Sequence, residues 1–278
     1  MRMSKTLDKD HVIKNKKRGI CSLNTLLETY ISDDATLKKA NLISYWINDY
    51  AKMLSFEDKF IPSRNTTYKR GDILKVNFGF RVGCEYGGLH YAVVLDKSNE
   101  HNSPTITVVP LTSNKNTDYK LRSTNVDIGD ELYQKLKLKH DTLSANLNRA
   151  IDETQKSAET LQETLDILNG LDSESVAIET NPPNELNLED ARFRLFRLIR
   201  YEQERLDKLH SEFYFLEKIK YEISKMKAGS IAISNQVTTI SKIRIQDPKT
   251  SAGVLAGIRL SGESMDLINE RIKEFYIF

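Results

Sequence analysis

Arg70-Gly71-Asp72-Ile73-Leu74-Lys75-Val76-Asn77-Phe78-Gly79 is the stretch on which the fold turns. Ile73, Leu74, Val76 and Phe78 fall close to the alternation of a buried or half-buried strand. The next segment, Gly79–Gly88, holds four glycines in ten positions, so its backbone is free to loop and to approach other groups closely. Tyr91–Leu95 (YAVVL) and Thr105–Leu111 (TITVVPL) are β-branched runs on either side of polar Asp96–Pro104, the pattern of a hairpin with a long loop. Short strands with Gly-rich connections predict a small barrel or sandwich.

On the N-terminal side the period changes. Leu23, Leu26, Leu27 and Tyr30 fit a 3.6-residue repeat, and Leu37, Leu42, Trp46, Ile47, Tyr50 and Leu54 form a second run, with Asp33 and Asp34 as caps between them. Residues 20–62 are therefore expected to be helical. Residues 1–19 carry Lys5, Lys9, Lys14, Lys16, Lys17 and Arg18 among few apolar groups, and are expected to form a flexible basic arm.

On the C-terminal side, residues 127–227 read as helical. Leu143, Leu147, Ile151, Thr154, Ala158, Leu161, Leu165 and Leu168 advance by three or four. After a break at Asn169–Asn184 the spacing resumes at Leu188, Ala191, Leu195, Leu198, Glu202, Arg205, Leu209, Phe213, Leu216 and Ile223. Each arm spans about 40 residues, roughly 60 Å of helix, and the pair predicts an antiparallel coiled-coil hairpin with polar seam positions at Thr154, Glu202 and Arg205. Ser230–Ile233 and Gln236–Ile240 are β-rich again, and Glu263–Phe278 places Met265, Ile268, Ile272 and Phe275 on one helical face. Strand texture on both sides of the helices implies one β domain in two parts, 68–126 and 228–278, interrupted by a helical insertion at 127–227. The expected fold class is α+β.

Composition removes several alternatives. The 278 residues carry 41 Lys and Arg against 39 Asp and Glu, a net charge of +2 that does not by itself announce a nucleic-acid binder. There is no apolar run near the roughly 20 residues of a membrane span, and the basic N-terminus lacks the apolar core of a signal peptide; a cytoplasmic protein is expected. Cys21 and Cys84 are not expected to build a disulfide framework or a four-ligand zinc site. With no phosphate loop, paired Cys ligands or His-x-x-x-His spacing, no metal or cofactor is expected.

Taken in order, Arg70–Gly79, then Val82-Gly83-Cys84-Glu85-Tyr86-Gly87-Gly88, then Tyr91–Leu95 and Ile106–Ser113 (ITVVPLTS), resemble the PemK/MazF family, the ribonuclease toxins of bacterial toxin–antitoxin modules. Ser230–Arg244 (SIAISNQVTTISKIR) resembles a later stretch of the same family, so the likeness covers about 100 of the 278 residues in two blocks. The resemblance implies an SH3-like β-barrel of the MazF/CcdB type, forming a homodimer without membrane association. It further implies a metal-independent endoribonuclease that cleaves single-stranded RNA, mRNA included, and is neutralised by a cognate antitoxin. In that reaction the 2′-OH attacks the adjacent phosphate, leaving a 2′,3′-cyclic phosphate and a 5′-OH, and needs a base, an acid and donors to the phosphorane.

One position departs from the family. Its Gly-Gly is followed by Arg-Pro, whereas this chain reads Leu89-His90-Tyr91, with His90 where the family has its catalytic arginine. A histidine titrating near its ordinary value of about 6.5 can carry protons, but a neutral imidazole does not replace a guanidinium's bidentate grip on phosphate. The resemblance accordingly implies His90 and Thr112 as catalytic groups, with Arg81 supplying the missing charge. Glu85, Tyr86, Gly87, Gly88, Ser113 and Gln236 are expected to contact RNA. The competing expectation is a catalytically inactive binding protein on the same barrel, either a gyrase inhibitor or an RNA- or partner-binding module. The N-terminal helices are expected to be able to cover the RNA groove in cis.

Overall fold

The computed structural model describes residues 8–114, 121–174, 185–227 and 229–277, leaving aside the side chains of 167–174 and 185–192. Strand β1 (Ile73–Asn77) lies next to one edge of the sheet. It pairs antiparallel with β2 (Leu89–Val94) through Ile73↔Val93 and Asn77↔Leu89. Strand β3 (Thr105–Ser113) follows beside β2, through Ala92↔Pro110 and Val94↔Val108. With β4 (Asn125–Asp127), β5 (Ser230–Ile233), β6 (Thr238–Ser241) and β7 (Ile245–Asp247), the order is β4-β5-β3-β2-β1-β7, and β6 pairs with β3. Every pairing is antiparallel.

The two faces of β1 supply two cores. Leu74, Val76 and the following Phe78 join Tyr68, Ala92, Val94, Ile106, Val108, Ile240 and Ile245, so five strands point into one cluster. Ile73, on the opposite face, joins Val93 and Val109 in a second cluster that helices cover. Burial on both faces is why the stretch 73–78 is so densely apolar. The closed barrel expected from the sequence is not what the hydrogen bonding draws. Between β6 and β7 the 3-10 turn Lys242–Arg244 takes the place of a ladder, and the sheet stays open. Lys242 is buried there with its amine donating to the Glu100 carbonyl at 3.1 Å, and Arg244 donates to the carbonyls of Asn77 and Phe78.

Helices α3 (Glu131–Glu174) and α4 (Glu185–Lys225) stand in chain order between β4 and β5. Those strands are neighbours (Asn125↔Ile233, Asp127↔Ile231), so the chain leaves and re-enters the sheet at adjacent ends. Leu132, Leu136 and Ile219, at the helix bases, cover the outer face of the sheet. Further out, α3 and α4 contact each other, with Leu147, Thr154, Glu202 and Leu216 buried. At 100° per residue Leu143, Leu147, Thr154 and Leu161 share one narrow arc. Ile151 and Ala158 fall at its edge and are exposed, as are Leu198 and Phe213, all four of which were expected on the seam. The side chains of Leu168, Leu188 and Ala191, and residues 175–184 of the expected break, lie outside the described residues.

Helix α1 (Lys9–Ile31) begins well inside the expected arm. Asp8 caps it by accepting from the Asp10 amide, and the lysines that follow are good helix formers, so residues 9–19 are helical; residues 1–7 lie outside the described residues. Asp33 caps α2 (Asp34–Glu57) in the same way, accepting from the Ala35 amide at 3.0 Å. Of the two, α2 holds the sheet: Asn77 donates to Asp49 at 3.2 Å, and the Arg244 guanidinium lies 5.1 Å from the Trp46 ring centre. At the C-terminus α5 (Gly262–Tyr276) buries Met265 and Ile268 and half-buries Ile272, whereas Phe275 is exposed. Phe278 lies outside the described residues.

Candidate functional site

The register of β2 and β3, carried two residues past Ala92↔Pro110, brings His90 and Thr112 to the same face of adjacent strands. At this point β3 parts from β2 and pairs with β5 instead, through Thr112↔Ile231. The Tyr86 side chain fills the opening. Its phenol donates to the Leu111 carbonyl at 2.8 Å and lies 2.9 Å from His90 Nδ1. A carbonyl only accepts, so the single phenolic proton points to Leu111. His90 Nδ1 must then carry its own proton towards the Tyr86 oxygen, which leaves Nε2 the lone-pair nitrogen of the neutral ring. Burial pushes the Tyr86 pKa above its ordinary value, and the nearby Thr112 hydroxyl draws it partly back. Imidazole and phenol are thus in hydrogen-bond contact, with the threonine hydroxyl close by.

Tyr86 and Thr112 face a cleft of about 410 Å³ whose wall also includes Ser113, Arg122, Asn125 and Gln236. The Gly-rich loop that presents Tyr86 is closed at its base: the Phe78 amide donates to the Gly88 carbonyl and the Gly88 amide to the Gly79 carbonyl, both at 2.8 Å. Gly87 is needed for that closure, since a Cβ there would lie 2.7 Å from the Gly79 oxygen. Gln236 ties the loop tip to the far side of the cleft, accepting from the Tyr86 amide and donating to the Cys84 carbonyl, each at 3.4 Å.

Four of the residues singled out in the sequence therefore meet at the cleft: Tyr86, Thr112, Ser113 and Gln236. His90 stands behind Tyr86 rather than in the wall. Arg81 is directed elsewhere, its Nε donating to the Phe78 carbonyl at 3.0 Å and its guanidinium 4.0 Å from the Glu85 carboxylate. Glu85, Gly87 and Gly88 shape the loop without lining the cleft. No described residue of α1 or α2 lines it either, so the expected cover by N-terminal helices is not seen. Arg122, Asn125 and Asn235 do line it and were missed. They sit in short connections and at a strand end, where neither period nor motif marks them.

A larger cleft of about 790 Å³ opens between α2, α4 and the β1–β7 edge. Its floor is the buried Glu222 carboxylate, which accepts from Lys75 at 2.5 Å and from the Tyr91 hydroxyl. It holds none of the expected catalytic or RNA-contacting residues.

Residues 69–169 match the family described as PemK-like, MazF-like toxin of type II toxin-antitoxin system. This segment is similar to PemK-like, MazF-like toxins. The match takes in β1–β4, the Tyr86 loop and most of α3, and stops before Ser230–Arg244, whose likeness to the family rests on the residues quoted above. No curated protein matches the chain. Type II toxins of that family generally act on RNA and bind a cognate antitoxin; the described wall of the cleft in this chain is made largely of hydroxyls and amides, with one guanidinium. Among the described residues no helix is long and apolar enough to cross a membrane.

Proposed function

We propose that the chain is an endoribonuclease toxin that cleaves single-stranded RNA in the Tyr86–Thr112 cleft without a metal ion. The observation that carries this reading is a phenol, hydrogen-bonded to His90, that shares a cleft wall with Thr112 inside the segment similar to the toxin family. The reaction forms a bond between the 2′-oxygen and phosphorus and breaks the bond from phosphorus to the 5′-oxygen. The 2′-OH proton passes to water in the cleft, and His90, half-buried behind Tyr86, takes up a proton from solvent at Nε2. The Tyr86 phenol, which burial keeps protonated at neutral pH, gives its proton to the departing 5′-oxygen and recovers one from His90 Nδ1. One proton has then moved from nucleophile to leaving group, and the imidazole ends neutral as the other tautomer. The Thr112 hydroxyl donates to the phosphoryl oxygens as charge builds.

We read the five-strand wrap as an opened SH3-like barrel in two chain segments, 68–126 and 228–278, and α3–α4 as an antiparallel coiled-coil insertion between them. A homodimer, a cognate antitoxin and a cytoplasmic site of action accompany the toxin reading. The test is incubation of RNA with the purified protein in EDTA, followed by mapping of the ends. Products with 2′,3′-cyclic phosphate and 5′-OH ends that disappear in His90→Ala and Tyr86→Phe are expected. Full activity in either variant removes the role given to that residue, and intact RNA removes the enzyme reading. The orientation of Arg81 away from the cleft favours one alternative, an inactive binding protein on the same scaffold; recovery of a topoisomerase with the protein, RNA remaining intact, would select it.

A further inference from the structure

We propose that Arg122 is the cation that grips the RNA phosphate in this cleft, the role the sequence assigns to Arg81. The proposal rests on the RNA reading of the cleft. Among the described residues that wall it, Arg122 alone carries a formal charge; its neighbours there are hydroxyls, amides, apolar groups and the Cys84 thiol. A phosphodiester carries a full negative charge before the reaction and the phosphorane formed by 2′-OH attack carries more, which neutral donors alone do not balance. Arg81 is spent on the Phe78 carbonyl and the Glu85 carboxylate. Arg122, by contrast, is exposed, and no described carboxylate pairs with it.

Its placement follows from the sheet. The Arg122 carbonyl accepts from the Asn125 amide at 2.9 Å, a turn that leads directly into β4. β4 pairs with β5 through Asn125↔Ile233, and β5 pairs with β3 through Thr112↔Ile231. Arg122 thus enters two strands away from Thr112, about 10 Å across the sheet at roughly 4.8 Å per strand. That is within the combined reach of an extended arginine and a phosphodiester held at Thr112. A planar fork on a turn can engage two phosphate oxygens at once.

The experiment measures binding and cleavage separately. Binding uses a short single-stranded RNA of randomised sequence, 2′-O-methylated throughout so that it is not cleaved; cleavage uses the unmodified pool. Arg122→Ala and Arg122→Lys are compared with Arg81→Ala and the parent, with thermal melts showing that each variant is folded. Arg122→Ala is expected to weaken binding about tenfold and to lower the slope of log K against log salt by about one ion, with cleavage falling by about a hundredfold or more. Arg122→Lys should restore binding more than cleavage, because it returns the charge without the fork. Arg81→Ala should change both by less than about threefold. If the parent binds RNA without cutting it and Arg122→Ala weakens that binding, Arg122 stands as the phosphate ligand and the ribonuclease reading falls. Binding and cleavage unchanged in Arg122→Ala, an Arg81→Ala loss as large, or no RNA binding by the parent would each overturn the proposal.

Discussion

Replacing Gly79 by alanine tests how the N-terminal helices are attached to the sheet. Gly79 has φ +83°, and a Cβ placed on it would lie 2.6, 2.7 and 2.9 Å from Cη2, Cζ2 and Cζ3 of Trp46 on α2. Two costs arise. A side chain in the left-handed region costs about 1–2 kcal/mol, and forcing a methyl into the face of a rigid indole costs about 1–3 kcal/mol, so the substitution should destabilise the chain by roughly 2–5 kcal/mol. Only the second cost depends on Trp46. In a Trp46→Ala background Gly79→Ala should therefore cost about 1–2 kcal/mol, which leaves a coupling energy of about 1–3 kcal/mol. Gly83, at φ +62° with nothing within 4 Å of its virtual Cβ, is the control: alanine there carries the backbone cost alone. Urea unfolding gives the free energies. Trp46 is the single tryptophan of the sequence, so its emission reports the seating of α2 directly and should shift to the red in Gly79→Ala. Equal costs in both backgrounds with unchanged emission would refute the argument that α2 is seated on this glycine.

Three further outcomes follow from the same packing. Burial raises the pKa of Tyr68 and of Tyr91, the latter further through its hydrogen bond to Glu222; the folded state then holds phenolic protons that the unfolded chain releases near pH ~10, so this stability is full below about pH 10 and is lost as pH rises towards the folded values. Urea midpoints should fall between about pH 8 and about pH 11, and Tyr91→Phe should flatten that fall; a parent midpoint that stays level would refute the point. Glu222→Ala removes one partner of a buried pair worth about 3–5 kcal/mol when broken, reduced to roughly 2–3 because the Lys75 side chain is 26% exposed; calorimetry should show the loss, and Lys75→Met in the same background should recover part of it. Trp46→Ala, which loosens α2, should leave binding of the 2′-O-methylated RNA within about twofold of the parent, since α2 contributes nothing to the cleft wall; a large gain would mean that the helix covers it after all.

Much of the architecture is legible because it is periodic. Ile73–Phe78 announces a strand by its spacing, and its unusual apolar density is explained once Ile73 and Leu74 are found in opposite cores. The excursion between Asp127 and Ser230 is readable from a three-and-four repeat, and antiparallel pairing of β4 with β5 shows why it is tolerated: its ends are already adjacent. The open edge was not legible. Whether β6 and β7 pair depends on Lys242–Arg244 folding as a turn around buried polar groups, and neither strand's own residues encode that. The same division runs through the cleft. Thr112 and His90 could be placed on one face by counting along strands, but the residue close to both, Tyr86, comes from a loop with no period, and its hydroxyl reaches Leu111 only because Gly79 and Gly87 let that loop close on itself. Arg81 and Arg122 are equivalent as letters, each a basic residue in a polar connection. What separates them is that one folds back on the Phe78 carbonyl of its own loop, while the other enters from a turn two strands away. Charge at the cleft is therefore set by tertiary geometry, and a substitution at Arg122 is the change that most directly asks whether this scaffold handles phosphate at all.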